Sequence, residues 1–193
     1  MQETGMTKDI EVLEVSNYDQ WQECMESFKA ELQRSPELNE RGVMLCDEHE
    51  RIRINGVQQD VPGTRRFLGK KGQATVGCMI IQKNPSDLKI MSIVVDQQNK
   101  KGVAKSLVVA AANESLKAGC GGSLTLADVS NGSGSKFYNF MGFRKVDEIK
   151  MRLDTPGTGR AATGAHWSYK DTPDKDNLMR GATELVFVEP EKA

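Results

Sequence analysis

Between residues 64 and 117 the sequence changes its hydrophobic period, and that change limits the fold more than any other feature. TRRFL, ATVGCMIIQK and LKIMSIVVD are apolar stretches rich in β-formers, separated by GKKG (69–72) and NPSD (84–87). This pattern predicts three successive strands of an antiparallel meander with turns at the two spacers. The period then becomes helical: Val103, Leu107, Ala111 and Leu116 fall along one stripe, and the glycine-rich GCGG (119–122) ends it. SLTLADV reads as a strand, SGSKFYNFM as a short helix and FRKVDEIKMRLD as another strand. A meander followed by strand, helix, strand, helix and strand implies an α/β chain with a mixed central sheet and helices on both faces.

The flanking segments are read against that centre. IEVLEV (10–15) has β character, and Ser16 or Asn17 can cap a helix directly after it. Trp21, Met25, Phe28 and Leu32 are spaced by four, three and four residues, one face of a helix that Pro36 ends. Residues 42–62 accommodate either a short helix or a hairpin turning at Asn55 and Gly56. Residues 155–182 carry turn formers without an apolar period, and TELVFVE supplies a last strand. A chain of 193 residues is expected to form one domain, 1–193, with 155–182 as a long excursion between its last two strands.

Composition removes several classes of function. Charged residues make up 27% of the chain but leave a formal net charge of -1, against the basic excess of a nucleic-acid binder. No apolar run approaches the roughly 18 residues of a membrane span, and the N-terminus lacks a signal-peptide pattern. The four cysteines form no CxxC pair and there are only two histidines, so no metal site is expected. Reduced thiols in a cytoplasmic protein are the default expectation.

The stretch NKKGVA stands where the third strand of the meander hands over to a helix. The first N–H groups of a helix carry partial positive charge, and phosphate binds there readily. Gly102 lets the backbone approach a ligand without an intervening Cβ, and Lys100, Lys101 and Lys105 add charge. The alternative is an ordinary solvated turn.

Two motifs bear on that choice. Asn99-Lys100-Lys101-Gly102-Val103-Ala104 resembles the (Arg/Gln)-x-x-Gly-x-(Gly/Ala) pyrophosphate loop of the GNAT superfamily of acetyl-CoA-dependent N-acyltransferases, with Asn99 where that family usually has Arg or Gln. Asn131, Tyr138 and the MGF of Met141, Gly142 and Phe143 resemble the family's second hallmark, an asparagine followed seven residues later by a tyrosine and then Gly-Phe. The resemblance covers about residues 8–153 and the last strand, and leaves out the excursion.

It implies the GNAT acyl-CoA acyltransferase fold, acetyl-CoA as co-substrate, no metal, and an amine acceptor on a small molecule or protein. It implies neither a nucleic-acid nor a membrane partner, and a homodimer is compatible with it. Acetyl-CoA would lie in a splay between parallel strands at 88–95 and 122–128, held by Asn99 through Lys105 and by Asn131. A β-bulge in the first of these strands would free backbone groups of Ser92, Ile93 and Val94 for the pantetheine arm and the thioester carbonyl.

By the same resemblance Tyr138 is the general acid for the departing thiolate; the alternative is a tyrosine packed against the sheet. Neutralising a lysine-like acceptor at pH 7 costs about 4.6 kcal/mol, so a base is useful. Many relatives present a glutamate five residues before the motif asparagine, but that position here is Leu126. Asp128 is the candidate base or water-orienting group, against the alternatives of a surface aspartate or a water chain. The excursion, with its HWSY, is read either as a substrate-facing flap or as a disordered loop. A rival function is a silent GNAT-fold module that binds CoA, or only keeps the fold, without catalysis.

Overall fold

The computed structural model describes residues 10–54, 63–99, 101–127, 133–147, 150–154, 166–171 and 183–188. The elements are β1 (Glu11–Glu14), α1 (Tyr18–Leu32), α2 (Pro36–Ile54), β2 (Thr64–Lys71), β3 (Ala74–Lys83), β4 (Leu88–Val95), α3 (Val103–Lys117), β5 (Leu124–Ala127), α4 (Ser133–Phe140), β6 (Arg144–Lys145), β7 (Lys150–Leu153), β8 (His166–Asp171) and β9 (Thr183–Val188). Strands one to seven form a mixed sheet in the order β1-β2-β3-β4-β5-β7-β6, and β8 and β9 form a two-stranded sheet. Among the described residues no helix is long and apolar enough to cross a membrane.

Two compact units divide the chain, and β4 and α3 each contribute to both. The first comprises Met6–Gln82 and Met91–Leu107. Here Asn17 caps α1, its side-chain oxygen accepting from the Gln20 N–H at 3.0 Å. The stripe Trp21, Met25, Phe28 and Leu32 is buried as its spacing requires, and packs in one cluster with Cys46, Leu68, Cys78 and Val94. Its buried Met, Phe, Leu and Val side chains each contribute about 1.5–3 kcal/mol of burial free energy.

Pro36 does end the first helical pattern, but it also opens α2. The Ser35 carbonyl accepts from the N–H groups of Leu38 (3.2 Å) and Asn39 (3.1 Å). A proline in the first helical position loses only an N–H that the helix could not have used. Of the two expectations for residues 42–62, the helix is found as far as Ile54, and it is longer than expected. Asn55 and Gly56 lie outside the described residues.

The meander is present, with one shift of boundary. β2 runs on through the GKKG stretch to Lys71, so Gly69 is a strand residue rather than the start of a turn. It lies opposite Gly77 in β3. Neighbours along a strand face opposite sides: Leu68 and Cys78 pack into the cluster with α1, whereas Gly69 and Gly77 meet Val103 and Leu107 of α3. Helices therefore cover both faces. Next to the glycine pair the register shifts from Gly69↔Gly77 to Lys70↔Thr75, leaving Val76 as the extra residue of a bulge.

The second unit comprises Met1–Gly5, Lys83–Ile90 and Val108–Ala193. Within it β4 and β5 pair in parallel from Leu88↔Leu124 to Ile90↔Leu126. The stretch read as one strand, FRKVDEIKMRLD, is instead the antiparallel hairpin β6–β7. The Asp147 carboxylate accepts from the Lys150 N–H at 2.7 Å and Val146 donates to the Lys150 carbonyl at 2.8 Å, which turns the chain. The segment 155–182 contains β8, which pairs antiparallel with β9 from His166↔Val188 to Asp171↔Thr183.

Candidate functional site

The junction from β4 to α3 lies wholly in the first unit. Ser92 and Ile93 are half-buried, and Val94 is buried in the core cluster. Asp96 follows, only 4% exposed. Its N–H donates to the carbonyl of the bulged Val76 at 3.0 Å, which fixes the end of β4 against β3. Its carboxylate accepts from the Gln98 N–H (3.0 Å), from the Asn99 side-chain amide (2.7 Å) and from Asn39 Nδ2 (3.2 Å). A buried carboxylate is tolerable because donors surround it.

Asn99 is exposed, and its side-chain amide donates back to Asp96, so it braces the loop from within. Lys100 lies outside the described residues. Lys101 is exposed and Lys105 half-buried. Gly102 has φ 81°, the left-handed region that glycine enters without strain. Its carbonyl accepts from the Ser106 N–H at 2.9 Å and so begins α3, with Val103 fully buried and Ala104 half-buried. The helix start thus carries the positive end of the dipole at the tip of a glycine turn, flanked by lysines.

The seat of that helix is the glycine pair. A Cβ on Gly77 would lie 2.6 Å from Val103 Cγ1, and one on Gly69 3.2 Å from the same atom. Only bare backbone at these positions lets α3 approach so closely, which sets where its first turn stands. The turn expected at Gly69 hides this role; the available signal is a glycine in each of two successive strands, Gly69 after Leu68 and Gly77 between Val76 and Cys78.

Tyr138 belongs to the second unit and is half-buried in α4. Its carbonyl accepts from the Phe143 N–H at 2.9 Å, Gly142 donates to the Asn139 carbonyl at 3.0 Å, and Gly142 has φ 89°. This is the Schellman ending of a helix, in which an apolar contact accompanies the two hydrogen bonds. Here that contact is the edge-to-face packing of the Tyr138 and Phe143 rings, with centroids 5.6 Å apart. Phe137 packs on the tyrosine at 5.2 Å. The tyrosine and the Gly-Phe pair are thus joined by local backbone geometry. Asp128 and Asn131 lie outside the described residues.

Two of the four thiols are chemically quiet. Burial pushes the Cys46 thiol up to about 11, with Lys29 opposing and Asp47 adding to the shift. Burial raises Cys78 further still; nearby Cys46 adds to this and a hydrogen bond with the Val94 backbone opposes it.

No family model matches the sequence, and no curated protein does. Solved structures do match. An acetyltransferase of the GNAT family from Staphylococcus aureus Mu50 is similar with a TM-score of 0.55 and 17% identity, over 74% of this chain and 97% of that one. A protein reported as an acyl-CoA N-acyltransferase from Klebsiella pneumoniae subsp. pneumoniae MGH 78578 gives 0.51 and 13%, over 74% and 95%. A protein reported as an acetyltransferase from Exiguobacterium sp. 255-15 gives 0.50 and 20%, over 76% and 93%. At these identities the likeness establishes a fold, and the fold is that of the GNAT acetyltransferases.

Proposed function

We propose that this chain, which carries the GNAT fold, transfers an acetyl group from acetyl-CoA to a primary amine of a small molecule or protein. The observation that carries the reading is the β4–α3 junction, where Gly102 at φ 81° opens a helix start seated on paired glycines. In this reading the pyrophosphate meets the backbone from Gly102 to Lys105, with Lys100 and Lys101 adding charge and Asn131 a further cofactor-binding residue. Such a site follows from the helix dipole and an unobstructed glycine backbone. The functions reported for the structural relatives, acetyl transfer and acyl-CoA-dependent N-acylation, point the same way.

The proposed chemistry is direct transfer. The neutral amine nitrogen attacks the thioester carbon, a C–N bond forms and the C–S bond breaks. Backbone groups of Ser92, Ile93 and Val94 hold the pantetheine arm and receive the developing oxyanion. Tyr138 protonates the leaving thiolate, and the ammonium proton passes to Asp128 or to water.

A second reading, a silent CoA-binding or interaction module, is favoured by two observations. The Asn99 amide is engaged with Asp96, and Leu126 is buried where a carboxylate base stands in many GNAT enzymes. Titration calorimetry with acetyl-CoA, followed by thiol release across a panel of amines, separates the two. Binding with turnover supports the enzyme, binding without turnover on any amine supports the CoA-binding module, and absence of binding leaves only a module that keeps the fold.

A further inference from the structure

We infer that the corner between α1 and α2 positions the β4–α3 loop, with Asn39 as the positioning residue at its centre. The inference rests on the proposal that this loop receives the pyrophosphate of CoA.

Asn39 stands in the first turn of α2 and is only 3% exposed. An asparagine in such a place must find partners for two N–H bonds and an oxygen. Its Nδ2 donates to Asp96 Oδ1 at 3.2 Å and to the carbonyl of Leu32, the last residue of α1, at 3.4 Å. Its Oδ1 accepts from the Gln97 N–H at 2.9 Å. One side chain therefore ties the end of α1 to the loop and gives both of its N–H bonds and its oxygen a partner in doing so.

The loop answers at every residue from 96 to 99. Asp96 takes Asn39 on the same oxygen that receives the Gln98 N–H, and holds Asn99 on the other. The Asn99 N–H returns to the Asp96 carbonyl at 3.1 Å. The Gln98 side chain bonds the Ser35 hydroxyl in the corner itself. A corner needed only to join two helices would have no reason to reach Asp96, Gln97 and Gln98, three consecutive residues of the loop that leads into α3. Removing Asn39 leaves the Asp96 carboxylate and the Gln97 N–H each short of a partner, and the loop must rearrange to satisfy them.

The test compares wild type, Asn39→Ala and Cys46→Ala by titration calorimetry with CoA, by thermal melting, and by amide exchange at Gln97 and Gln98. Cys46 is buried on the same helix within the core cluster, so Cys46→Ala lowers stability through packing alone. Asn39→Ala is expected to weaken CoA binding about 10-fold and to speed exchange at Gln97 and Gln98, because the loop loses a charge-assisted hydrogen bond. Cys46→Ala is expected to melt earlier with CoA affinity kept. Equal loss of affinity in the two variants, or full affinity in Asn39→Ala, overturns the inference. If Asn39→Ala does not fold, Gln98→Ala replaces it: this exposed change cuts only the link to Ser35, and unchanged CoA affinity overturns the inference. If wild type fails to bind CoA, the phosphate-loop reading falls and the positioning role falls with it.

Discussion

Alanine at position 77 is a one-carbon perturbation whose effect can be worked from three distances. Its Cβ would lie 2.6 Å from Val103 Cγ1, 3.1 Å from the Val94 carbonyl oxygen and 3.3 Å from Leu107 Cδ1. Val103 and Leu107 are both fully buried, so neither can swing aside into solvent. Relief requires α3 to lift from the sheet or β3 to bend, and overpacking of this kind costs about 1–3 kcal/mol. Replacing a glycine also restricts the unfolded chain, which works the other way by about 0.4–1 kcal/mol and is the smaller effect. For a chain of this length each kcal/mol moves Tm by about 2–4 °C, so a fall of several degrees is expected in a calorimetric scan. Val103→Ala in the same molecule removes the nearest clash. The pair should therefore be more stable than the sum of the single losses predicts, by about 0.5–3 kcal/mol, although the contact with Val94 keeps the rescue partial. Because Val103 is the first residue of α3, acetyl-CoA affinity should fall with stability in the single variant and recover in part in the double. A Gly77→Ala protein that melts with wild type, or a double variant whose loss is the plain sum, would refute the account of how α3 is seated.

Four further outcomes are expected. Gly102→Glu places a side chain and a negative charge on a backbone at φ 81°, so acetyl-CoA affinity measured by calorimetry should collapse; retained affinity would remove the phosphate-loop reading. Tyr138→Phe keeps the ring and the carbonyl that closes α4, so melting and acetyl-CoA binding should hold while turnover falls about 10²-fold; intact kcat would leave Tyr138 a structural residue. Iodoacetamide at pH 8 should label the half-buried Cys24 and Cys120 and spare Cys46 and Cys78, as read by peptide mass spectrometry. Burial raises the Cys46 thiol from 9.0 to about 11, so the unfolded state loses its proton first and stability falls as pH rises between those values; a urea midpoint that held or rose across this window would contradict the sign.

Much of the fold was legible because its signals are local. The stripe of Trp21, Met25, Phe28 and Leu32, the two turns of the meander and the glycines after α3 each declare themselves within a few residues. α2 was legible only as one of two readings of 42–62, and its start was not, because Pro36 both stops one helix and starts the next, and Asn39 breaks the apolar period by facing inward. The β6–β7 hairpin reads as one strand because Asp147 is the single turn former in the sequence between Arg144 and Lys150. β8 was passed over because HWSYKD is too short to establish a period among turn formers. At the candidate site, Gly102 and the helix after it could be read directly. The support beneath them could not: Asn39 and Asp96 meet across 57 residues, and no spacing rule connects them.

The closure of α4 bears on what a pattern search can detect. α3 ends by the same device: the Cys120 N–H reaches the Ser115 carbonyl at 2.9 Å, Gly119 reaches Leu116 at 3.1 Å, and Gly119 has φ 76°. One chain thus uses a single stop signal twice, once with serine in the accepting position and once with tyrosine. A query built on tyrosine, a short gap and Gly-Phe retrieves aromatic helix endings whether or not any thiolate is waiting for a proton. An alanine scan inherits the same confusion, since Tyr138→Ala removes half of the aromatic clasp together with the hydroxyl. At this position only the phenylalanine exchange separates punctuation from chemistry.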